Sequence, residues 1–308
     1  MEETELCFPQ LLNTSCRRPP APDSDAALVY ILLLLISLLT LHSPTNLLLL
    51  SLAVSDFLVG FLVMPVEVLL MGTCWVLGEL MCALYFFLPV ILISASVGNM
   101  VLISIDRYVA ICSPLHYPTL ITENTVTFSV CLCWACSVFY SIFLLYDNLQ
   151  QPGRYNSCYG ECMVNINGDV DLVVAFIIPV TIIIVLYLRV FVVAVCQARA
   201  MRSQVAAVSV GFSVSWLMKL SELKAARTLG VVVVVFLICY SPYYCLCLTG
   251  RNILIGSSTE AFMSFVMYFN SCLNPVIYAS FYPWFRKAVK HIVTLQILQP
   301  GSCEADVV

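Results

Sequence analysis

The chain has 308 residues, 61% of them hydrophobic and only 10% charged, with a formal net charge of -4. Its mean hydropathy of +0.96 is out of reach for a soluble domain, in which about a quarter of the residues carry charge. Such a chain needs lipid as part of its solvent, which excludes a soluble enzyme and leaves no nucleic-acid partner to expect.

Residues 1–25 are polar, contain Pro19, Pro20 and Pro22, and predict an irregular tail. They lack the basic start, apolar stretch and small-residue cut site of a signal peptide. Apolar runs then predict seven membrane-spanning helices at about 26–42, 45–71, 80–112, 125–146, 170–200, 220–249 and 257–280. The expected fold class is an all-α membrane protein, a seven-transmembrane bundle over 26–280. Its first helix is short: residues 26–42 reach about 26 Å, against roughly 30 Å of hydrocarbon. Either the bilayer thins locally around it, or the chain is a non-signalling or misfolded variant. The apolar stretch 205–218 either extends the fifth and sixth helices or lies on the membrane. After Pro283, apolar and basic residues at helical spacing predict an amphipathic inner-surface helix within 281–308.

Basic residues favour the cytoplasmic side. With the tail outside, four of the 14 Lys and Arg (Arg17, Arg18, Arg154 and Arg251) lie outside and the rest inside. This predicts a multi-pass plasma-membrane protein with an extracellular N-terminus. Asn13, in Asn13-Thr14-Ser15, is then a glycosylation acceptor. Cys7, Cys16, Cys82, Cys158 and Cys162 fall in outer segments, where disulfides persist. A Cys82–Cys162 bridge would pin the loop between the fourth and fifth helices over the bundle mouth, leaving Cys158 for Cys16 or Cys7. The alternative is free thiols.

Ionisable residues inside a membrane are costly and suggest function. Asp56 lies mid-span, and Ser96, Asn270, Ser271 and Asn274 are the polar groups available to it. Together they form a candidate sodium site; the alternative is a protonated Asp56 that ties helices together. Asp106-Arg107-Tyr108 ends the third helix, where Arg107 can pair with Asp106 or reach Glu222 on the sixth. A breakable pair there would be a two-state element; the alternative is a snorkelling Arg. Pro275 in Asn274-Pro275-Val276-Ile277-Tyr278 removes a backbone donor from the last helix, and Pro179 and Pro242 loosen two others.

These signatures, with Trp134 in the fourth span, resemble the rhodopsin-like G-protein-coupled receptors. Ser43–Asp56, Arg199–Gln204, Lys224–Gly230 and Tyr282–Lys287 further resemble the trace amine-associated receptors. The resemblance implies an olfactory receptor for small amines, coupled to a stimulatory G protein that raises cyclic AMP, with no catalysis. It also implies bridged cysteines in the tail and second outer loop. The usual amine-binding Asp, seven residues after the cysteine that opens the third helix, is Pro89 here. The chain is similar to the fish branch, whose amine-binding carboxylate has moved to the fifth helix, and this makes Asp171 the anchor. The alternative is a helix-start carboxylate stabilised by the dipole. Tyr240, Tyr243, Tyr244 and Tyr268 are the expected aromatic surround. Glu67 is either a second carboxylate suited to a diamine or a rim-exposed side chain. A transporter or channel with Asp56 on its ion path is the competing class; no zinc spacing, nucleophile–base pair or phosphate loop supports an enzyme. No metal or cofactor is expected beyond the candidate sodium ion.

Overall fold

The computed structural model describes residues 44–72, 74–158, 160–207, 214–248, 252–255 and 258–281. The predicted short first helix, Asn13, Cys7, Cys16 and the segment after 281 lie outside them. The other six predicted helices are present, with ends within a few residues of expectation apart from longer inner ends around the 205–218 stretch. In chain order the elements are α1 (Pro44–Leu58), a π-helical turn (Val59–Val63) and α2 (Met64–Gly72); then α3 (Glu79–Tyr85) and α4 (Phe87–Cys112). The short α5 (Tyr117–Leu120) precedes α6 (Glu123–Leu144) and α7 (Tyr146–Gln150). Strand β1 (Val164–Asn167) leads into α8 (Gly168–Asp171), a second π-helical turn (Leu172–Ile177) and α9 (Ile178–Ala207). The chain continues through α10 (Val214–Cys247), β2 (Asn252–Ile255) and α11 (Ser258–Phe281).

Proline explains where these helices deform. A proline lacks the N–H and its ring clashes with the carbonyl four residues back. Pro65 follows the π turn in the second span, and Pro179 follows the one in the fifth. Widening each helix just upstream relieves the clash. Pro89 acts similarly: the third span breaks at Phe86, where the bonds Phe86 N to Cys82 O and Val90 N to Phe86 O stretch to 3.4 and 3.5 Å. Thr122 caps α6, its side chain accepting from Thr125 N at 3.3 Å. Within 205–218, the described residues belong to the flanking helices, one running to Ala207 and the other beginning at Val214; residues 208–213 lie outside the described residues.

Five described helices are long and apolar enough to cross a membrane: Pro44–Val68, Glu79–Cys112, Glu123–Leu144, Gly168–Val193 and Gly230–Cys247. The packing is that of a bundle in lipid. Leu52, Val59, Leu92, Ile103 and Phe236 are buried, while Phe128, Phe139, Phe143, Leu188 and Phe191 stand on the outside. In water this outer girdle would be an aggregation surface; against acyl chains it costs nothing. Helix α4 is central and packs on α1, α6 and α9. At its contact with α6, a Cβ added to Gly98 would lie 2.4 Å from Cys133 Sγ. Trp134 Nε1 donates to Ser51 Oγ at 3.0 Å and ties α6 to α1.

A small sheet was not foreseen. Strand β1 pairs antiparallel with β2, Val164 opposite Ile255 and Asn167 opposite Asn252. The other edge of β1 is held by Asn148, whose side chain donates to Asn165 O at 2.6 Å and accepts from Asn165 N at 2.9 Å. The side chain thus imitates a neighbouring strand. Cys82 is bridged to Cys162, as expected. Cys158 is also disulfide-bonded, and so is Cys74, which composition gave no reason to single out.

Candidate functional site

At the end of the bundle where β1 lies, a cleft opens between helices. Its lining includes Asp171, Tyr243, Tyr244, Tyr268, Pro89 and Glu260. The sequence thus foresaw all of these except Glu260.

Asp171 is 6% exposed. Asn167, not Asp171, caps α8, its side chain accepting from Val170 N at 3.2 Å. The Asp171 carboxylate instead turns sideways into the bundle. Tyr140 of α6 donates its hydroxyl to Asp171 Oδ1 at 2.6 Å, and Tyr243 approaches the same carboxylate. Both partners are neutral phenols. They solvate the carboxylate without cancelling its charge, so a cation entering the cleft finds an oriented anion in an apolar setting. Tyr140 was missed because an aromatic residue inside an apolar run looks like any other filler.

The aromatic surround is narrower than expected. Tyr244 stacks on Phe176 with centroids 4.5 Å apart, and Tyr243 meets Tyr244 edge-on at 5.0 Å. Tyr240 does not line the cleft. It lies one helical turn deeper, 1% exposed, with its ring 4.1 Å from that of Phe236. Tyr240 and Tyr244 share a helix face, but about 6 Å of rise separates them, enough to put one below the floor.

Glu67 is buried rather than exposed at a rim, and does not itself line the cleft. It accepts from the Tyr85 hydroxyl at 3.2 Å and interacts electrostatically with Glu260. Glu260, 2% exposed in the first turn of α11, accepts from the Ser264 hydroxyl. Its position at the edge of a loop is what hid it in the sequence.

Below the cleft, Asn274 Nδ2 donates to Asp56 Oδ2 at 2.9 Å and Asn270 Oδ1 lies 3.5 Å from the same nitrogen. Among the described residues, Asp56 Oδ1, Ser96 Oγ and Asn274 Oδ1 find no hydrogen-bond partner although all three are buried. An oxygen-rich set around one carboxylate, left unsatisfied, is the donor chemistry a hard monovalent cation takes.

At the other end, Arg107 is ion-paired with Asp106, with Nε to Oδ2 at 2.8 Å. Two residues missed in the sequence complete the arrangement. Tyr117 of α5 donates to Asp106 Oδ1 at 2.9 Å; Thr45 of α1 donates to Asp106 Oδ2 at 3.2 Å and accepts from Arg107 Nη2 at 2.7 Å. Burial raises the Tyr117 phenol above its ordinary pKa, so it stays a donor. Among the described residues, Tyr108 makes no side-chain hydrogen bond to this group. The side chains of Glu222, Pro275 and Tyr278 lie outside the described residues.

Residues 28–278 match the family described as 7 transmembrane receptor (rhodopsin family), so the cleft is that of a rhodopsin-class receptor, a multi-pass membrane protein and not an enzyme. Trace amine-associated receptor 13c of Danio rerio is 33% identical, over 98% of this chain and 96% of its own. Receptor 7e of Mus musculus is 34% identical over 97% and 90%, and receptor 6 of Homo sapiens 35% over 97% and 94%. The chain belongs to the trace amine-associated receptors. The alignment to receptor 13c runs over 330 positions, more than the chain has, so it contains positions with no counterpart here.

Proposed function

We propose that the protein is a plasma-membrane receptor for small amines, with its N-terminus outside and Asp171 as the group that holds the ligand's ammonium. The observation that carries this is a buried carboxylate whose close partners are phenols, in a cleft walled by Tyr243, Tyr244 and Tyr268. Each phenol face in contact with an ammonium adds about 0.5–2 kcal/mol of attraction. The bound amine favours the bundle form in which Arg107 leaves Asp106 and accepts a stimulatory heterotrimeric G protein, raising cyclic AMP in olfactory cells. When sodium is bound, Asp56, Ser96, Asn270 and Asn274 hold it, and the ion neutralises Asp56 and ties α1 to α11.

The test is a cyclic-AMP response to a panel of volatile amines in cells carrying the full chain. Asp171→Asn, at matched surface density, should abolish every amine response. A response that survives this substitution removes Asp171 as the anchor. A second reading, a receptor that does not signal, rests on the short first apolar run, residues 26–42. Surface staining of intact cells separates the two: a silent receptor confined inside the cell favours the second reading.

A further inference from the structure

We propose that the outer end of the third span carries a lipid-seated edge: Leu77, Leu80, Met81 and Leu84 dock into the outer leaflet of a phospholipid bilayer and hold the loop that carries Leu77 against the head groups. These four side chains stand 65, 52, 52 and 45% exposed. Leu80, Met81 and Leu84 share one face of α3, Leu84 lying four and three residues after the other two. Leu77 comes just before them, across Gly78, whose φ of +84° makes the turn. The opposite face is committed to the protein: Cys82, Ala83 and Phe86 are buried, and Cys82 is bridged to Cys162.

The segment has two unlike sides. Trp75, Val76, Gly78 and Glu79 border a hollow beside Gly153 and Glu161 of the following loop, and none of the four edge residues lines it. Glu79 is the one charged residue between positions 75 and 85. Its carboxyl group is turned to the hollow, so close to Gly153 that a Cβ there would lie 2.2 Å from Glu79 Cδ. Trp75 N donates to Gly160 O at 2.9 Å and Trp75 Nε1 donates to Gly78 O at 2.7 Å. These bonds brace the loop from the polar side and leave the other side apolar. What covers that side follows from continuity and length. Helix α3 opens the span Glu79–Cys112, so its exposed face continues the apolar girdle that meets lipid. From Arg107, at the inner membrane face, back to Leu84 the helices rise about 35 Å, against roughly 30 Å of hydrocarbon. A tilt of about 30° takes up the difference. Leu84 then lies at the acyl boundary, and Leu80, Met81 and Leu77 lie in the head-group layer, where amphipathic segments bury an apolar face by about 5–10 Å. Glu79 and Glu161 face water on the other side.

The experiment places the full chain in phosphatidylcholine vesicles in which part of the lipid carries a nitroxide near the head of one acyl chain. One tryptophan is added at a time: Leu77→Trp, Leu80→Trp, Met81→Trp and, as a control at an exposed position of the following loop, Gln151→Trp. The emission of the unsubstituted protein is subtracted. At positions 77, 80 and 81 the added emission should lie to the blue of that at 151 and lose about half or more of its intensity to the nitroxide. Iodide in the water should quench it at least about twofold less than at 151. Three positions on one edge are read, so a substitution that disturbs folding at one of them leaves the others to decide. Iodide quenching equal to that at 151, with no loss to the nitroxide, puts the edge in water and overturns the proposal. Quenching by the nitroxide at 80 and 81 but not at 77 overturns the seating of the loop. A blue shift that appears only as the protein-to-lipid ratio rises, with no loss to the nitroxide, means that a second copy of the chain covers the edge, and this also overturns the proposal.

Discussion

The contact between Gly98 and Cys133 makes a sharp test of how the third and fourth spans pack. An alanine methyl at position 98 would lie 2.4 Å from Cys133 Sγ, whereas unstrained contacts between such atoms need about 3.5–4.0 Å. Overpacking of this kind costs about 1–3 kcal/mol. Against it, Gly→Ala in a helix interior gains about 1 kcal/mol of propensity. Gly98→Ala alone should therefore lower stability by up to about 2 kcal/mol. In a Cys133→Ala background the offending sulfur is gone, and the next atom, Cys133 Cβ, lies at an ordinary 3.9 Å. There the propensity gain stands unopposed, and Gly98→Ala should raise stability by about 1 kcal/mol. The substitution changes sign with its neighbour, a coupling of about 1–3 kcal/mol. Denaturant unfolding of the four proteins in mixed micelles measures it. Equal effects of Gly98→Ala in both backgrounds, to within about 0.5 kcal/mol, refute the packing argument.

Two more perturbations follow from the polar networks. Tyr117→Phe combined with Thr45→Val removes two hydroxyls from Asp106, each worth about 0.5–1.5 kcal/mol, and loosens the hold on Arg107. Basal cyclic AMP should rise about two- to tenfold at equal surface density, and an unchanged or lower basal level contradicts this. Asp56→Asn should abolish any effect of sodium chloride, relative to a matched potassium salt, on amine affinity; a sodium effect that survives argues against the ion site.

Hydropathy marked the described helices well, because in lipid the length of an apolar run and the length of a span are one quantity. The second span was expected at 45–71 and runs from Pro44 to Gly72. Depth and facing were harder to read. Tyr240, Tyr243 and Tyr244 look equivalent in the sequence, yet only the last two reach the cleft, since rotation and rise within a single turn decide it. The surroundings of Glu260 and Tyr140 likewise exist only once α11 and α6 are set beside α8. The β1–β2 pair escaped because each strand has four residues, too few for alternation to register as a pattern. Asp171 stands out in the sequence only through family resemblance, since its phenol partner Tyr140 lies 31 residues away and meets it only in the fold.

The little ladder between β1 and β2 has a mechanical consequence. One of its strands leads straight into α8 and Asp171; the other lies between α10 and α11. Ile166, on the first strand, closes over the cleft. Clasped by backbone bonds to β2 on one edge and by Asn148 on the other, β1 anchors the start of α8, and with it Asp171, to the segment that precedes α11.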